Sequence, residues 1–205
     1  MTRRILPYGD HALLVELDDL EAVLALFRGL DATRPDGVVE LIPAARTIGV
    51  VVEPRILSPS AAAAWVHRTE PLAAAAVEAR VVELDVHYDG EDLGEVARLT
   101  ELSEAEVVRF HTESPWRVAF GGFAPGFAYL VTDGNALDVP RRATPRTAVP
   151  PGAVGLAGAF TGVYPRSSPG GWQLIGRTDA TLWDETADPP ALLRPGTVVR
   201  FREAQ

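Results

Sequence analysis

The chemistry open to this chain is set first by what it lacks. It has no cysteine, and all 19 of its basic residues are arginines. Without cysteine there are no thiolate nucleophiles, zinc–thiolate sites or disulfides. Without lysine there is no Schiff-base amine and no Gly-Lys-Ser/Thr of a Walker A loop. The most informative pattern is one Gly/Pro-rich stretch, Gly121 to Trp172, with its aromatics and arginines in three blocks. The first runs Phe120-Gly-Gly-Phe-Ala-Pro-Gly-Phe-Ala-Tyr-Leu130. Its glycines permit positive φ or close approach of a ligand, Pro125-Gly126 favours a type II turn, and Phe123, Phe127 and Tyr129 can wall a pocket. The second, Pro140 to Pro150, projects Arg141, Arg142 and Arg146 from a segment stiffened by proline. The third, Phe160 to Trp172, carries Thr161, Tyr164, Pro169, Gly170, Gly171 and Trp172.

Rigid loops that combine aromatics, arginines and exposed backbone N–H groups suit an anionic or amide ligand. The plainer alternative is that they are barrel corners, where Gly and Pro are routine. Charge bears on both readings, since the arginines can equally be scattered over a solvated surface or form a local site. The whole chain carries −9, yet between Ser114 and Leu182 six arginines face three aspartates, a local +3. Arginine's planar fork fits a carboxylate, a phosphate or an acidic partner. The overall acidity argues against nucleic acid, which needs a basic surface.

Other chemistries fail on spacing. Gly152 to Gly158 reads GxxGxxG, not GxGxxG, and no helix pattern follows it. There is no Gly-x-Ser-x-Gly elbow, and Ser114, Ser167 and Ser168 have no histidine nearby in sequence. His11, His67, His87 and His111 show no metal-ligand spacing, so no metal site is expected. His111, just ahead of the Gly/Pro-rich stretch, is the one histidine retained as a catalytic candidate. No self-contained nucleophile or metal site is visible.

The elements that must position these loops change character along the chain. The front alternates strand and helix: a strand at His11–Leu17, an amphipathic helix at Asp19–Leu30, a hairpin pair at Val38–Ile42 and Thr47–Val52, a helix opened by Ser58-Pro59, and a strand at Arg80–Val86. This β-α-β-β-α-β order predicts a ferredoxin-like α+β domain over residues 1–85. Two short helices, Asp92–Leu99 and Ser103–His111, form a helical connector over 86–115. The second opens on a capping box, Ser103 with Glu106. From residue 116 to 205 the helical period gives way to short apolar runs at Arg117–Phe120, Val154–Leu156, Trp172–Ile175, Ala180–Trp183 and Val198–Phe201. Dense turn residues separate them, which predicts an all-β barrel or sandwich. A hydrophobic fraction of 47% is globular. The amino end lacks a signal-peptide pattern and the alanine-rich segment near 61–76 is broken by charges, so a soluble, cytoplasmic protein with no membrane partner is expected.

The three loops also carry a resemblance. Gly122–Leu130, Pro140–Arg146, Val149–Gly158, Thr161–Thr178 and Leu192–Phe201 resemble, in order, the GFxPGFxYL, PRRxxPR, VPxGSVGIxG, TGxYPxxSPGGWxLIGxT and LLxPGDxVRF motifs of one family. It is variously called the 5-oxoprolinase B-type subunit, KipI (kinase A inhibitor) or allophanate hydrolase subunit 1. Further forward, Tyr88–Leu93 resembles its YGGPDL and Leu102–His111 its GLSxxEVxxLH. The resemblance implies a ferredoxin-like domain followed by a cyclophilin-like β-barrel, as in a carboxyltransferase domain. It also implies a non-autonomous subunit, inactive alone, that acts with a homologous second subunit (the C-type, KipA-like one) and a third oxoprolinase protein. Together these would open pyroglutamate to glutamate at the expense of ATP. In that setting Arg141, Arg142 and Arg146 would hold an anionic group or the partner. Gly126, Gly170 and Gly171 would shape the pocket, and Tyr129, Tyr164 and Trp172 would line it. Phe160 stands where the family often has Gln, Asp89 and Glu91 replace Gly and Pro, and Ala153 replaces Ser. Two other roles fit the same resemblance: an inhibitor that binds a sensor histidine kinase, and half of a urea or amide carboxyltransferase site, which would need a biotinylated partner.

Overall fold

Helix starts in this chain are fixed by local side-chain chemistry. In the computed structural model, which describes residues 3–74 and 79–204, Asp19 caps the first helix by accepting from the Ala22 N–H, and Ser58 caps the second by accepting from Ala61 with Pro59 in its first turn. The chain divides into two units, residues 1–77 and 78–205.

The first unit contains β1 (Arg4–Pro7), β2 (Ala12–Glu16), α1 (Leu20–Ala32), β3 (Val38–Pro43), β4 (Thr47–Val52) and α2 (Pro59–Arg68). Its four strands form an antiparallel sheet in the order β1-β2-β4-β3. Val15, Ile48 and Val50 on the sheet pack against Val23, Leu26 and Leu30 of α1 and Val66 of α2. Here the ferredoxin-like expectation is corrected. The fourth strand of this sheet is β1, at the amino end, and the strand expected to complete it, β5 (Val81–Val86), lies in the second unit. An alternating apolar pattern marks a half-buried strand without saying which sheet it joins.

The second unit adds α3 (Leu93–Thr100), α4 (Glu104–Glu113), β6 (Trp116–Gly121), β7 (Ala128–Val131), β8 (Arg146–Val149), β9 (Ala153–Ala157), β10 (Phe160–Val163), β11 (Ser168–Gly170), β12 (Gln173–Arg177) and β13 (Val198–Glu203). Seven strands form one sheet in the order β12-β9-β10-β7-β6-β13-β5, and β5 runs parallel to β13. An antiparallel bridge between His87, just after β5, and Arg177 of β12 joins the two ends through a pair of 2.9 Å hydrogen bonds. The sheet is thereby a nearly closed barrel, the coarse architecture expected for this half. Its interior is filled by Val118, Leu130, Val154, Leu156, Ile175, Val199 and Phe201, and Leu93, Val96 and Val107 of α3 and α4 belong to the same core. The α4 capping box is present, with the Ser103 hydroxyl accepting from the Glu106 N–H and the Glu106 carboxylate accepting from the Ser103 N–H. Ala180–Trp183 forms no strand; Trp183 makes only an isolated bridge with Ala191. The small two-stranded sheet β11-β8 stands apart from the barrel sheet and ties the second Gly/Pro-rich block to the third.

Candidate functional site

The β6–β7 connection is built from two successive tight turns. Gly122 accepts from the Ala124 N–H at 2.8 Å, a three-residue γ-turn centred on Phe123, whose φ is +69°. Ala124 then accepts from the Phe127 N–H at 2.9 Å around Pro125-Gly126, with Gly126 at φ +83°, the type II turn expected from that dipeptide. Gly126 also backs onto Trp183, and a Cβ there would come within 2.9 Å of the Trp183 Cβ. Pro125 and Gly126 thus form the turn and do not reach the pocket it supports.

That pocket, of about 260 Å³, is walled by Phe123, Phe127, Tyr129, Tyr164 and Trp172, with Arg141, Arg142, Pro145 and the Pro169–Gly171 backbone completing it. All but Pro145 were singled out from the sequence. The aromatic walls meet edge to face: Phe127 against Tyr129 at 5.1 Å, Tyr164 at 5.3 Å and Trp172 at 5.4 Å between ring centres. Gly162 of β10 makes this packing feasible, because a Cβ there would lie 3.0 Å from the Phe127 ring and 3.1 Å from that of Trp172. Burial raises the pKa of Tyr129 and Tyr164 above that of an ordinary phenol, so both stay protonated and able to donate at neutral pH.

The three arginines of the second block separate into two kinds. Arg146 donates to both carboxylate oxygens of Asp92, at 2.8 and 2.9 Å, and to Glu91 at 3.1 Å, while Arg142 also donates to Asp92. Asp92 is only 3% exposed and accepts a further bond from the Leu174 N–H at 2.7 Å. Its charge is matched by two guanidiniums and a backbone donor, the condition for a stable buried carboxylate. Arg141, by contrast, makes no ion pair or hydrogen bond among the described residues; it borders the pocket with its guanidinium uncommitted. Arg146 is thus turned to the carboxylates, Arg142 is committed through one nitrogen while its Nε has no partner, and Arg141 keeps its whole guanidinium free among the described residues.

Asp92 itself was missed as a site residue. Its position at the N-cap of α3 normally marks a helix cap, yet its side chain makes no capping bond and turns to the arginines instead. An acidic residue at a helix start within reach of a Pro-Arg-Arg segment was the available signal, although the two lie about 50 residues apart.

His111 stands elsewhere. It is fully buried inside the barrel, stacked on Phe201 at 4.2 Å, and it does not line the pocket. Tyr88 Oη lies 2.7 Å from its Nδ1 and Thr161 Oγ1 2.8 Å from its Nε2, while Thr161 donates to the Gly155 carbonyl. Those directions fit one arrangement: Tyr88 donates to Nδ1, and Nε2–H donates to Thr161. Burial lowers the pKa of His111 to about 3, so the ring is neutral. The histidine retained as a catalytic candidate and Thr161, expected to bind, instead form a closed hydrogen-bonded chain in the core.

The departures from the family motifs also find their places. Phe160 packs edge-on to Tyr129 and Phe120 and stays out of the pocket lining. Asp89 meets Arg177 at 2.9 Å, and Glu91 meets Arg146. Among the described residues no group of three or more His, Asp or Glu is placed to hold a metal ion, and no helix is long and apolar enough to cross a membrane.

Residues 3–193 match the family of the carboxyltransferase domain, subdomain C and D. The B-type subunit of 5-oxoprolinase from Bacillus subtilis (strain 168) is 48% identical over 128 residues, which is 61% of this chain and 53% of that protein. Its namesake from Escherichia coli O157:H7 is 45% identical over 168 residues, covering 80% of this chain and 77% of that one. The chain therefore aligns with about half of the first relative's length and three quarters of the second's. The crystal structure of Kluyveromyces lactis urea carboxylase matches 99% of this chain with a TM-score of 0.81, over 22% of its own length; at 19% identity this is a likeness of fold alone.

Proposed function

We propose that this chain, which belongs to the carboxyltransferase-domain family of subdomains C and D, is the pyroglutamate-holding subunit of a 5-oxoprolinase. The observation that carries the reading is the pocket: compact, walled by aromatic rings, and bordered by one uncommitted guanidinium. Pyroglutamate is a small five-membered lactam with a single carboxylate. Arg141 would take the carboxylate in a charge-assisted pair. The ring would lie among the edges of Phe127, Tyr129 and Trp172, and the protonated hydroxyls of Tyr129 and Tyr164 would offer donors to the lactam carbonyl. The names of the two bacterial relatives support this substrate over a kinase-inhibitor or a urea carboxyl-transfer role.

The lining contains no carboxylate, histidine, serine or threonine, so this chain would bind and orient while a homologous second subunit and a third protein supply the remaining groups. Nor do the lining residues fit ATP. The three phosphates of a nucleotide call for several convergent N–H donors or a helix N-terminus, and this lining draws on no helix and brings two arginine side chains, Arg141 and the Asp92-paired Arg142. ATP, required at the level of the complex to activate an unstrained amide, would be held outside this pocket. A soluble complex in the cytoplasm is the setting this reading requires. Reconstitution tests it: the chain with its second subunit and the third protein should hydrolyse ATP only when pyroglutamate is present. Absence of pyroglutamate-dependent turnover from the full set would refute the assignment.

A further inference from the structure

Phe123 combines three properties that a residue with a purely structural role does not need. Its backbone has φ +69°, a region that a bulky residue adopts only under strain. It is the central residue of a γ-turn, locked by the 2.8 Å bond from Ala124 to Gly122 and followed without a break by the Pro125-Gly126 turn. The residue is nevertheless 59% exposed, so little burial offsets that strain. Glycine would satisfy this backbone at no steric cost, and the residue before Phe123 is already glycine. The ring is not loose on the surface. It stands edge-on to Phe127 at 5.4 Å and to Tyr164 at 6.2 Å, and it lines the pocket that Arg141 borders. Strain held at a pocket, with an apolar ring displayed by it, is the pattern of a residue kept for contact with a ligand.

We propose that Phe123 is a specificity-determining residue of this pocket, displayed by its γ-turn so that its ring covers the apolar face of a small cyclic carboxylate. The proposal rests on the pyroglutamate reading of the same site. It gives that site a division of labour: Arg141 selects the charge and Phe123 selects a compact ring over an open chain, which would leave the aromatic face uncovered.

The test uses the assembled complex and three variants, Phe123→Gly, Phe123→Leu and Phe123→Tyr. Turnover by the parent complex is established first; its absence would sink the oxoprolinase reading alone. In that event the Phe123 arms are read by calorimetric binding of pyroglutamate to the complex, and no binding by the parent would overturn the proposal too. Expected results are a KM or Kd for pyroglutamate at least fivefold higher in Phe123→Gly and Phe123→Leu, and within twofold of the parent in Phe123→Tyr. Phe123→Gly should also keep a melting temperature equal to or above the parent's, because glycine relieves the backbone; a merely structural ring would lower it. Unchanged affinity in either weakened variant overturns the proposal. So does a loss confined to subunit association, measured by sedimentation, which would make Phe123 a protein-docking residue instead.

Discussion

The barrel unit holds two clusters in which aromatic rings surround polar groups, and they differ in access and in charge. Around His111 the rings of Tyr88, Trp116 and Phe201 close over a histidine whose two nitrogens are both committed. Around the pocket the rings of Phe123, Phe127, Tyr129, Tyr164 and Trp172 leave a space open, with an arginine at its border. The residue types would suggest the reverse assignment, since histidine is the usual acid–base group and arginine the usual surface charge. Desolvation decides it. A fully enclosed imidazole with both partners inside the protein is neutral and unreachable, whereas a guanidinium with no carboxylate partner at a pocket edge is available to a ligand.

The largest expected effect lies in the buried charge cluster around Asp92, which includes the pocket-lining Arg142. Asp92→Ala would leave Arg142, Arg146 and the Leu174 N–H without their shared acceptor. Removing one member of a buried charge cluster costs roughly 3–5 kcal/mol, which denaturant unfolding of the purified chain would measure. A loss below about 1 kcal/mol would mean that the arginines are held by other contacts.

His111→Gln comes next and probes the closed cluster. Losing the stacked ring and one or both hydrogen bonds should cost about 2–4 kcal/mol, while the KM of the folded fraction stays within twofold. A KM that rises with intact folding would make His111 a site residue after all. The same variant carries a pH test. The ring's proton affinity is depressed on folding, so as pH falls the unfolded chain protonates first, near the ordinary 6.5. The stability this neutral histidine contributes is complete above that pH and lost as pH falls toward about 3, at up to ~1.4 kcal/mol per pH unit. The parent should therefore lose stability in acid more steeply than His111→Gln; parallel slopes would contradict a buried neutral ring.

The smallest effect serves as a reference outside both clusters. Ser103→Ala removes the α4 cap and should cost about 1 kcal/mol with no change in any kinetic constant. A kinetic effect there would mean that the helices flanking the barrel take part in the reaction.

What was legible in the sequence was what is decided locally. The caps at Ser58 and Ser103 and the Pro125-Gly126 turn depend on neighbours within three residues, and each formed as read. The pocket walls were legible because Gly, Pro and aromatic residues concentrate where chain segments turn tightly beside an open pocket. Long-range decisions were hidden. Nothing in Val81–Val86 states that its partner is Val198–Glu203 near the far end of the chain, so the strand was assigned to the wrong sheet. The short β8, β10 and β11 lie among glycines and prolines too dense to show alternation. The sorting of three similar arginines depended on Asp92, a residue whose helix-cap position disguised its other use.

Arg141, the lining cation with no ion pair or hydrogen bond among the described residues, is proposed to hold the carboxylate of pyroglutamate. The most direct measurement is the KM for pyroglutamate of the reconstituted complex carrying Arg141→Gln, with Arg141→Lys alongside. Loss of a charge-assisted pair, about 1.5–3 kcal/mol, should raise KM roughly 10- to 100-fold in Arg141→Gln while the chain's unfolding free energy stays within about 0.5 kcal/mol of the parent; Arg141→Lys should recover part of the loss. An unchanged KM in Arg141→Gln, with the complex intact, would contradict the account.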